Sequence, residues 1–567
     1  MKSWRLNAVL TLIMIFGAAI IGRLFYIQIL NHKLYQAQAL GQQSGFSEVH
    51  GQRGEVLFRN SQESKGAYGT GDVKSLAINK ERWAVFAIPQ EVEDKDIFSE
   101  LLGNAIGESK EFVFLKIENR DSYTIIKKDL SKEYIDEIKK IKLNGAYLEN
   151  IEGRYYPQEE MASKIIGFWG GDGVGQYGIE GYYEDVLKGQ SGIKEDKKGL
   201  DQINFLSTEA DLNGSDVYLT IDYNIQFQAE SLLKEAQKNL NIESGQIIVL
   251  KPDTGRILAI ADLPSFDPNF YSKEKKLDIF QNSATQKIFE PGSIMKPFTM
   301  SMGINEGKIT PNTTYIDNGF VKMGPDTIYN FDKKKWGKQT MTGVLEKSIN
   351  TGAVFVSQLI PHPTFLNYID KFGFNEKTGI ELQGEVSSQN DIKGPDVEFA
   401  TASFGQGVSV TPVQIVRGFS VIANGGKLVK LHIVEKIVKG DKETDITTQV
   451  LDEQVISKQT ASQVTTMLMS VVERGFGDGA KIPGYYLAGK TGTAQVPFEN
   501  KKGYYPDKTI QTFIGFGPAL NPQFLILVKL DDPKVSSSSL SAVPVFKKLA
   551  QYIINYWQIP PDYDVNK

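Results

Sequence analysis

Three short strings in this chain place side chains that could do nucleophilic chemistry without a histidine. Ser293-Ile-Met-Lys296 sets a hydroxyl and an amine three residues apart, and Ser348-Ile-Asn350 sets a hydroxyl and an amide two apart. Lys490-Thr-Gly-Thr493 sets a lysine and two hydroxyls around a glycine. On a helix, residues three apart share a face. An amine held there out of bulk water, near the positive helix end, gives up its proton more readily. A neutral amine can then take the serine's proton, and the serine oxygen can attack a carbonyl.

The surrounding sequence predicts the elements that would hold these groups. Glu290-Pro-Gly292 is a turn signal directly before the serine, and Ile294, Met295, Phe298, Met300, Met302 and Ile304 follow. Gly307 offers a stop, so a helix is expected to begin at Ser293. Pro297 is tolerated there, because first-turn N–H groups have no intrahelical partner. For this string alone, an N-capping serine beside a solvated lysine reads equally well. Two other matches, Ser191 to Lys194 and Ser272 to Lys275, lie in turn-like or charged surroundings. The second string falls in a loop between two helical stretches, the later one running from Ala353 to Leu359. A plain helix cap explains it as well. The third string continues a strand expected over Tyr485–Gln495, interrupted by a glycine of the kind that marks close approach of a backbone or ligand. Its lysine and threonines could bind a carboxylate, or it could be an ordinary strand with a surface lysine.

Taken in order, Ser293-x-x-Lys296, Ser348-x-Asn350 and Lys490-Thr-Gly-Thr493 resemble the active-site boxes of penicillin-binding proteins. Phe289-Glu-Pro-Gly-Ser293, Phe404-Gly-Gln-Gly-Val-Ser-Val-Thr-Pro412, Ile422-Ala-Asn-Gly-Gly426 and Ala488-Gly-Lys-Thr-Gly-Thr-Ala494 are similar to the class B, monofunctional transpeptidase group. The likeness spans roughly Val217 to Tyr556. A weaker one precedes it through Arg53-Gly54 and Gly178-Ile-Glu-Gly-Tyr-Tyr183. One departure is Phe58, which stands where the family shows an acid.

The resemblance implies a serine-type D-Ala-D-Ala transpeptidase that cross-links peptidoglycan stem peptides through an acyl-enzyme. By that likeness Ser293 is the nucleophile and Lys296 the base, with Ser348 and Asn350 relaying protons and positioning substrate. Lys490, Thr491, Gly492 and Thr493 would hold the terminal carboxylate, and the backbone N–H groups of Ser293 and Thr493 would form the oxyanion hole. No metal or organic cofactor is implied, and β-lactams are expected inhibitors. The second box and the Phe289–Ser293 segment look like the division-type FtsI branch, with an FtsW-like glycosyltransferase and other divisome membrane proteins as expected partners. Elongation- or sporulation-type transpeptidases, a D,D-carboxypeptidase or β-lactamase, and a non-catalytic divisome scaffold are the alternatives. No residue that would activate a deacylating water is identified.

The expected fold is α+β: an antiparallel sheet flanked by helices plus an all-helical lobe, as in penicillin-binding proteins and serine β-lactamases. Strands are read at Val217–Ile221, Gln246–Leu250, Arg256–Ile260, Thr509–Phe516 and Gln523–Leu530, with helices at Ile225–Lys238 and Val543–Tyr556. The domain plan is an anchor over 1–30, an elongated mixed pedestal over 31–214 and a transpeptidase domain over 215–560. Within the pedestal, Trp83–Ala87 reads as a strand, Lys132–Ile141 as a helix and Tyr26–Gln43 as a helix leaving the membrane. Gly170–Gly175 and Gly515-Phe-Gly517 read as loops or turns, because neither has the strand–turn–helix context of a nucleotide fingerprint.

The chain has 567 residues, 41% hydrophobic content and a formal net charge of −5, which argues against a nucleic-acid binder. It has no cysteine, which removes disulfides, thiolate metal sites and cysteine nucleophiles. Of its four histidines only His362 and His432 lie where a triad would need them, and neither sits in a supporting motif. Asn7–Gly22 is almost wholly apolar, Leu24–Leu30 extends it past Arg23, and Lys2 and Arg5 precede it. This predicts an uncleaved single-pass anchor in the bacterial cytoplasmic membrane, N-terminus inside and catalytic domain outside, with a cleaved signal peptide as the alternative.

Overall fold

The structure is a computed structural model that describes Met14, Phe16, Gly17, Ile20 and residues 46–59, 74–118, 120, 123–195, 212–390, 392–446, 453–498 and 503–565. The anchor expected over 1–30 lies outside the described residues except for those four helical positions, and the helix expected over Tyr26–Gln43 lies wholly outside them. Among the described residues, no helix is long and apolar enough to cross a membrane.

Two compact units divide the chain. One comprises Met1–Gly54, Asp185–Ser215 and Lys439–Lys442, and within it Phe46–His50 pairs antiparallel with Ser191–Glu195. The other comprises Glu55–Glu184, Asp216–Val438 and Glu443–Lys567 and contains every residue of the candidate site.

In the second unit, five strands form an antiparallel sheet. They are β1 (Ser244–Leu250), β2 (Ile257–Leu263), β3 (Ala488–Pro497), β4 (Tyr504–Gly517) and β5 (Phe524–Asp531), in the spatial order β2-β1-β5-β4-β3. Every residue of β2 is buried, and so is almost all of β1 and β5. Such continuous burial replaces the usual alternation because helices cover both faces. Helices α1 (Tyr223–Leu240) and α2 (Ala542–Tyr556) pack Leu232, Leu233, Leu549 and Ile553 against Ile247, Val249, Phe513 and Val528. The helix Pro412–Ala423, buried along its whole length, meets β1 and β5. β3 is left at the edge, so one side of its backbone ladder is open to an added strand.

Gly515-Phe-Gly517 is a correction to the sequence reading: it is the end of strand β4, not a turn. The glycines are there for packing. A Cβ on Gly515 would lie 3.0 Å from Phe546 Cζ, and one on Gly517 would lie 2.3 Å from Leu487 Cδ2. The strand expected from Tyr485 begins at Ala488 instead, because the preceding segment turns through an Ile482–Tyr485 bridge.

In residues 55–184 of this unit, Ser75–Ala87 pairs antiparallel with Ala146–Tyr155 and with Thr124–Lys127. The expected helix Lys132–Ile141 is present, and it joins Lys95–Ile106 and Lys110–Ile117 in covering the sheet with Phe98, Leu102, Val113, Ile135 and Ile138. Val56–Leu57 pairs parallel with Val217–Tyr218, and Asp216–Leu219 pairs antiparallel with Val434–Lys439. Phe58 is fully buried, edge-on to Tyr223 at 5.4 Å between ring centres, so an apolar contact occupies the place of the expected acid. Glu180 of the Gly178–Tyr183 segment is also fully buried and receives Arg154 Nε at 2.7 Å. A buried carboxylate persists only when it is paired or well hydrogen-bonded.

Lys164 ties this region to the segment before the serine box. Its Nζ is 3.3 Å from Asp262 Oδ2, which accepts the Ser283 N–H, and its carbonyl accepts Asn282 Nδ2 at 3.2 Å.

Candidate active site

The turn before Ser293 is fixed by close backbone contacts. Gly292 has φ +56 and donates its N–H to Gly405 O at 3.1 Å. A Cβ on Gly405, itself at φ +84, would lie 2.2 Å from Gly292 O, so glycine is required where the two segments cross. Phe289 and Val410 form an antiparallel bridge. Glu290 Oε1 accepts the Gly407 N–H at 3.0 Å and Oε2 accepts the Tyr504 hydroxyl at 3.1 Å. Burial holds this carboxyl above the usual carboxylate range.

Gly292–Met295 is one 3-10 turn that leads into the α-helix Lys296–Asn305, with Pro297 in its first turn. Lys296 through Gly303 are all buried, and Phe298 meets Phe372, Phe374 and Phe419 edge-on at 5.0, 5.0 and 5.9 Å. A helix buried on every side cannot shift, so the Ser293–Lys296 spacing is held rigidly.

Lys296 has no exposed surface. Its Nζ lies 2.9 Å from Ser293 Oγ, 2.6 Å from Ser348 O, 3.2 Å from Ser348 Oγ and 2.8 Å from Asn350 Oδ1. Burial, followed by the charge of Lys490, holds its pKa well below the ordinary lysine value. In the neutral state its two N–H bonds suffice for the two carbonyl oxygens, leaving the nitrogen lone pair for a hydroxyl.

Ser348 lies between the helices Met341–Glu346 and Asn350–Gln358, in a left-handed conformation (φ +53) unusual for a residue with a side chain. Asn350 is not in the connecting loop as expected. It is the first residue of the helix, which starts three residues before Ala353. Its Nδ2 donates to Tyr329 O at 3.0 Å.

Asp317 fixes this helix start. It is fully buried and accepts from Thr351 Oγ1 at 2.7 Å, Asn330 Nδ2 at 2.9 Å, the Gly319 N–H at 2.9 Å and the Trp336 N–H at 2.8 Å. Asn330 Oδ1 in turn accepts the Thr351 N–H at 3.1 Å. The sequence reading missed Asp317, although Asp317-Asn-Gly319 is a turn signal that would have drawn attention to it.

The third box lies on edge strand β3. Lys490 is fully buried, and its Nζ donates to Ser348 Oγ at 2.9 Å, Thr491 O at 2.9 Å and Thr491 Oγ1 at 3.2 Å. Burial lowers its pKa to about 7. A Cβ on Gly492 would lie 2.2 Å from Thr512 Oγ1 and 3.0 Å from Ile294 Cγ2, and one on Gly292 would lie 3.0 Å from Ala494 Cβ. β3 therefore runs directly beside the serine turn. Thr493, between Gly492 and Ala494, has its Oγ1 3.5 Å from Ser538 Oγ.

The structure thus joins Ser293, Lys296, Ser348, Asn350, Lys490 and Thr491 by hydrogen bonds, with Gly492 and Thr493 on the adjoining stretch of strand. His362 is elsewhere, stacked on Phe399 and 3.4 Å from Asp396. His432 is buried, and burial lowers its pKa to about 4. A partly exposed serine against a buried low-pKa amine is an arrangement for acyl transfer.

Comparison with known proteins gives the same pattern over most of the chain. The family described as penicillin-binding protein transpeptidase domain matches residues 245–551, and the penicillin-binding protein dimerisation domain matches residues 49–219. Stage V sporulation protein D of Bacillus subtilis (strain 168) is 32% identical, over 90% of this chain and 79% of that protein. Peptidoglycan D,D-transpeptidase FtsI of Escherichia coli (strain K12) is 28% identical, over 99% of this chain and 93% of that protein. Among solved structures, penicillin-binding protein 3 of Mycobacterium tuberculosis complexed with aztreonam superposes with a TM-score of 0.69 at 26% identity, covering 92% of this chain and 99% of that one.

Proposed function

The chain belongs to the penicillin-binding-protein transpeptidases, class B, and on that premise we propose that it cross-links peptidoglycan through an acyl-enzyme on Ser293. The observation that carries this reading is the 2.9 Å approach of the fully buried Lys296 Nζ to Ser293 Oγ.

In the first half-reaction Ser293 Oγ bonds to the penultimate D-Ala carbonyl carbon as its proton passes to Lys296. Backbone N–H groups of Ser293 and Thr493 stabilise the oxyanion. The bond to the terminal D-Ala nitrogen then breaks, and that nitrogen takes a proton relayed through Ser348, whose Oγ touches both lysines. In the second half, an amine of a neighbouring stem attacks the ester carbonyl, its proton returns along the same relay, and Ser293 leaves as the hydroxyl. Asn350 positions the donor amide. Thr491 and Thr493 receive the terminal carboxylate, with Lys490 supplying charge from behind Thr491, and Gly492 lets the strand pass close. The open edge of β3 is suited to pairing with the stem backbone. β-Lactams acylate Ser293 by the same attack.

The domain plan supported by the two family matches is a pedestal over 31–214 and a catalytic domain over 215–560. The apolar run Asn7–Gly22 supports an anchor over 1–30 that keeps the catalytic domain outside the cytoplasmic membrane. An FtsW-like glycosyltransferase and other divisome proteins are its proposed partners. The 28% likeness to FtsI supports a septal role, while the 32% likeness to a protein named for sporulation supports the same chemistry in spore formation.

The test uses purified full-length chain and its Ser293→Ala variant. A one-to-one penicillin adduct on the wild type only, with new cross-links from pentapeptide-bearing strands, is the expected result. A well-folded wild type that takes no penicillin and makes no cross-links would overturn the proposal.

A further inference from the structure

Between the helix of Lys296 and the helix of Asn350 the chain forms two small hairpins, Thr314–Asp317 with Gly337–Thr340 and Phe320–Met323 with Asp326–Tyr329. One side of this lobe is packed: Ile328 is buried with Ala353, Val354 and Phe404. The other side is open. Phe331 is 63% exposed, Tyr329 47% and Phe320 44%, with Phe320 and Tyr329 rings 6.2 Å apart.

Cations surround these rings. Lys322, Lys333, Lys334, Lys335 and Lys338 are all exposed, against two exposed carboxylates, Asp326 and Asp332. Among the described residues, Lys322, Lys334, Lys335 and Lys338 have no carboxylate within ion-pair distance. The lobe is thus positive on a chain whose formal net charge is −5. Exposed rings and unpaired lysines together are what an interaction surface displays.

The surface also continues into the candidate active site. Tyr329 shows its ring to solvent while its carbonyl holds Asn350 at 3.0 Å, and Asn330 next to it accepts the Thr351 N–H. At Asp332 and Lys333 two successive non-glycine residues take φ +53, and Phe331 beside them projects outward.

We propose that the 314–340 lobe is a docking surface for the glycan strand that carries the stem peptide, an anionic carbohydrate polymer, beside the catalytic cleft. The flat C–H faces of sugar rings lie on Phe331, Tyr329 and Phe320, and carboxylates of the stem peptides meet the lysines. This rests on the transpeptidase reading, because a polymer whose stem occupies the cleft brings its sugars to within one stem's length of it.

The test compares full-length chain in detergent with Phe331→Ala and with the triple variant Lys333→Glu, Lys334→Glu, Lys335→Glu. The probes are soluble uncross-linked strands bearing pentapeptides, the same strands stripped of peptide, and phosphatidylglycerol vesicles. The expected result is binding of peptide-bearing strands weakened about tenfold in the triple variant and severalfold in Phe331→Ala, while penicillin acylation of Ser293 stays within about twofold. Stripped strands, which keep only one lactyl carboxylate per disaccharide in place of the stem's carboxylates, should show a smaller loss in the triple variant and keep full sensitivity to Phe331→Ala. Unchanged strand binding, or a loss confined to the vesicles, would overturn the inference while leaving Ser293 acylation intact. Absence of acylation in the wild type would instead overturn the reading it rests on.

Discussion

Lys296 and Lys490 meet at one atom: their Nζ groups lie 3.2 and 2.9 Å from the Oγ of Ser348, and neither lysine has any exposed surface. Two buried ammonium groups on a shared hydroxyl repel each other, so one of them is neutral at physiological pH. Lys296 is the more depressed of the two, because the charge of Lys490 adds to its own burial. When the pair holds one proton it therefore resides on Lys490, and the serine faces an amine ready to accept one. Three predictions arise from this pair and its supports, and a fourth from the strand beside them.

Penicillin acylation is expected to slow as pH falls through the Lys296 pKa, because protonation removes the base. Lys490→Met removes a neighbouring positive charge, so the acid limb should move to higher pH. Lys296→Arg, always protonated, should slow acylation by about 100-fold or more. Stopped-flow acylation across pH measures all three. An acid limb that does not move in Lys490→Met would refute the coupling.

Lys490 also links stability to pH. Burial lowers its pKa from 10.5 to about 7, so between those values the unfolded chain binds a proton that the folded chain does not. Stability should rise with pH through that window, and the gain is lost as pH falls toward 7. Lys490→Met lacks this slope, so its melting temperature relative to wild type should be most favourable near pH 7 and decline toward pH 10. A constant difference between the two proteins would count against the assignment.

Asp317→Ala should destabilise the chain by about 3 kcal/mol, because it strands buried donors on Asn330, Thr351 and Trp336. It should also slow acylation by freeing the start of the Asn350 helix. Thermal melts and acylation rates together test this, and normal acylation in a destabilised variant would restrict Asp317 to a folding role.

Gly492→Ala should be severely impaired, since its Cβ would meet Thr512 Oγ1 at 2.2 Å. That hydroxyl is buried with no hydrogen-bond partner, so Thr512→Ala costs little polar bonding and removes the nearest obstacle. The double variant should therefore recover part of the lost acylation. Additive damage in the cycle would show that Ile294, at 3.0 Å, sets the limit instead.

The parts of the site legible in the sequence are those written in adjacent residues. Ser293 with Lys296, Ser348 with Asn350, and Lys490 through Thr493 are short strings that each read alone as well as a cap or a surface lysine, and their order along the chain is what marks them; the structure joins them by hydrogen bonds. The helix before Gly307 is likewise legible in its turn signal, apolar run and glycine stop. What escaped depends on residues far apart. Glu290 meets Gly407 across 117 positions, and Asp317 meets Thr351 across 34. The Gly515–Gly517 stretch misled because glycine usually marks turns, whereas here it makes room for Phe546 and Leu487 within a strand. Nor does spacing alone reveal that Lys490 is buried beneath Thr491.

The strand Asp216–Leu219 has Val56–Leu57 on one side and Val434–Lys439 on the other. The sheet therefore draws on three stretches made at widely separated times on the ribosome. Val56–Leu57, already paired with the Ser75–Ala87 strand, waits for Asp216–Leu219, which is itself enclosed only when Val434–Lys439 arrives after the Lys296–Asn305 helix has been made. Closing such distant pairings is slow. Between those events the far edge of Asp216–Leu219 is unpaired on a partly made chain, the kind of surface that a holding chaperone would shield until residue 434 is available.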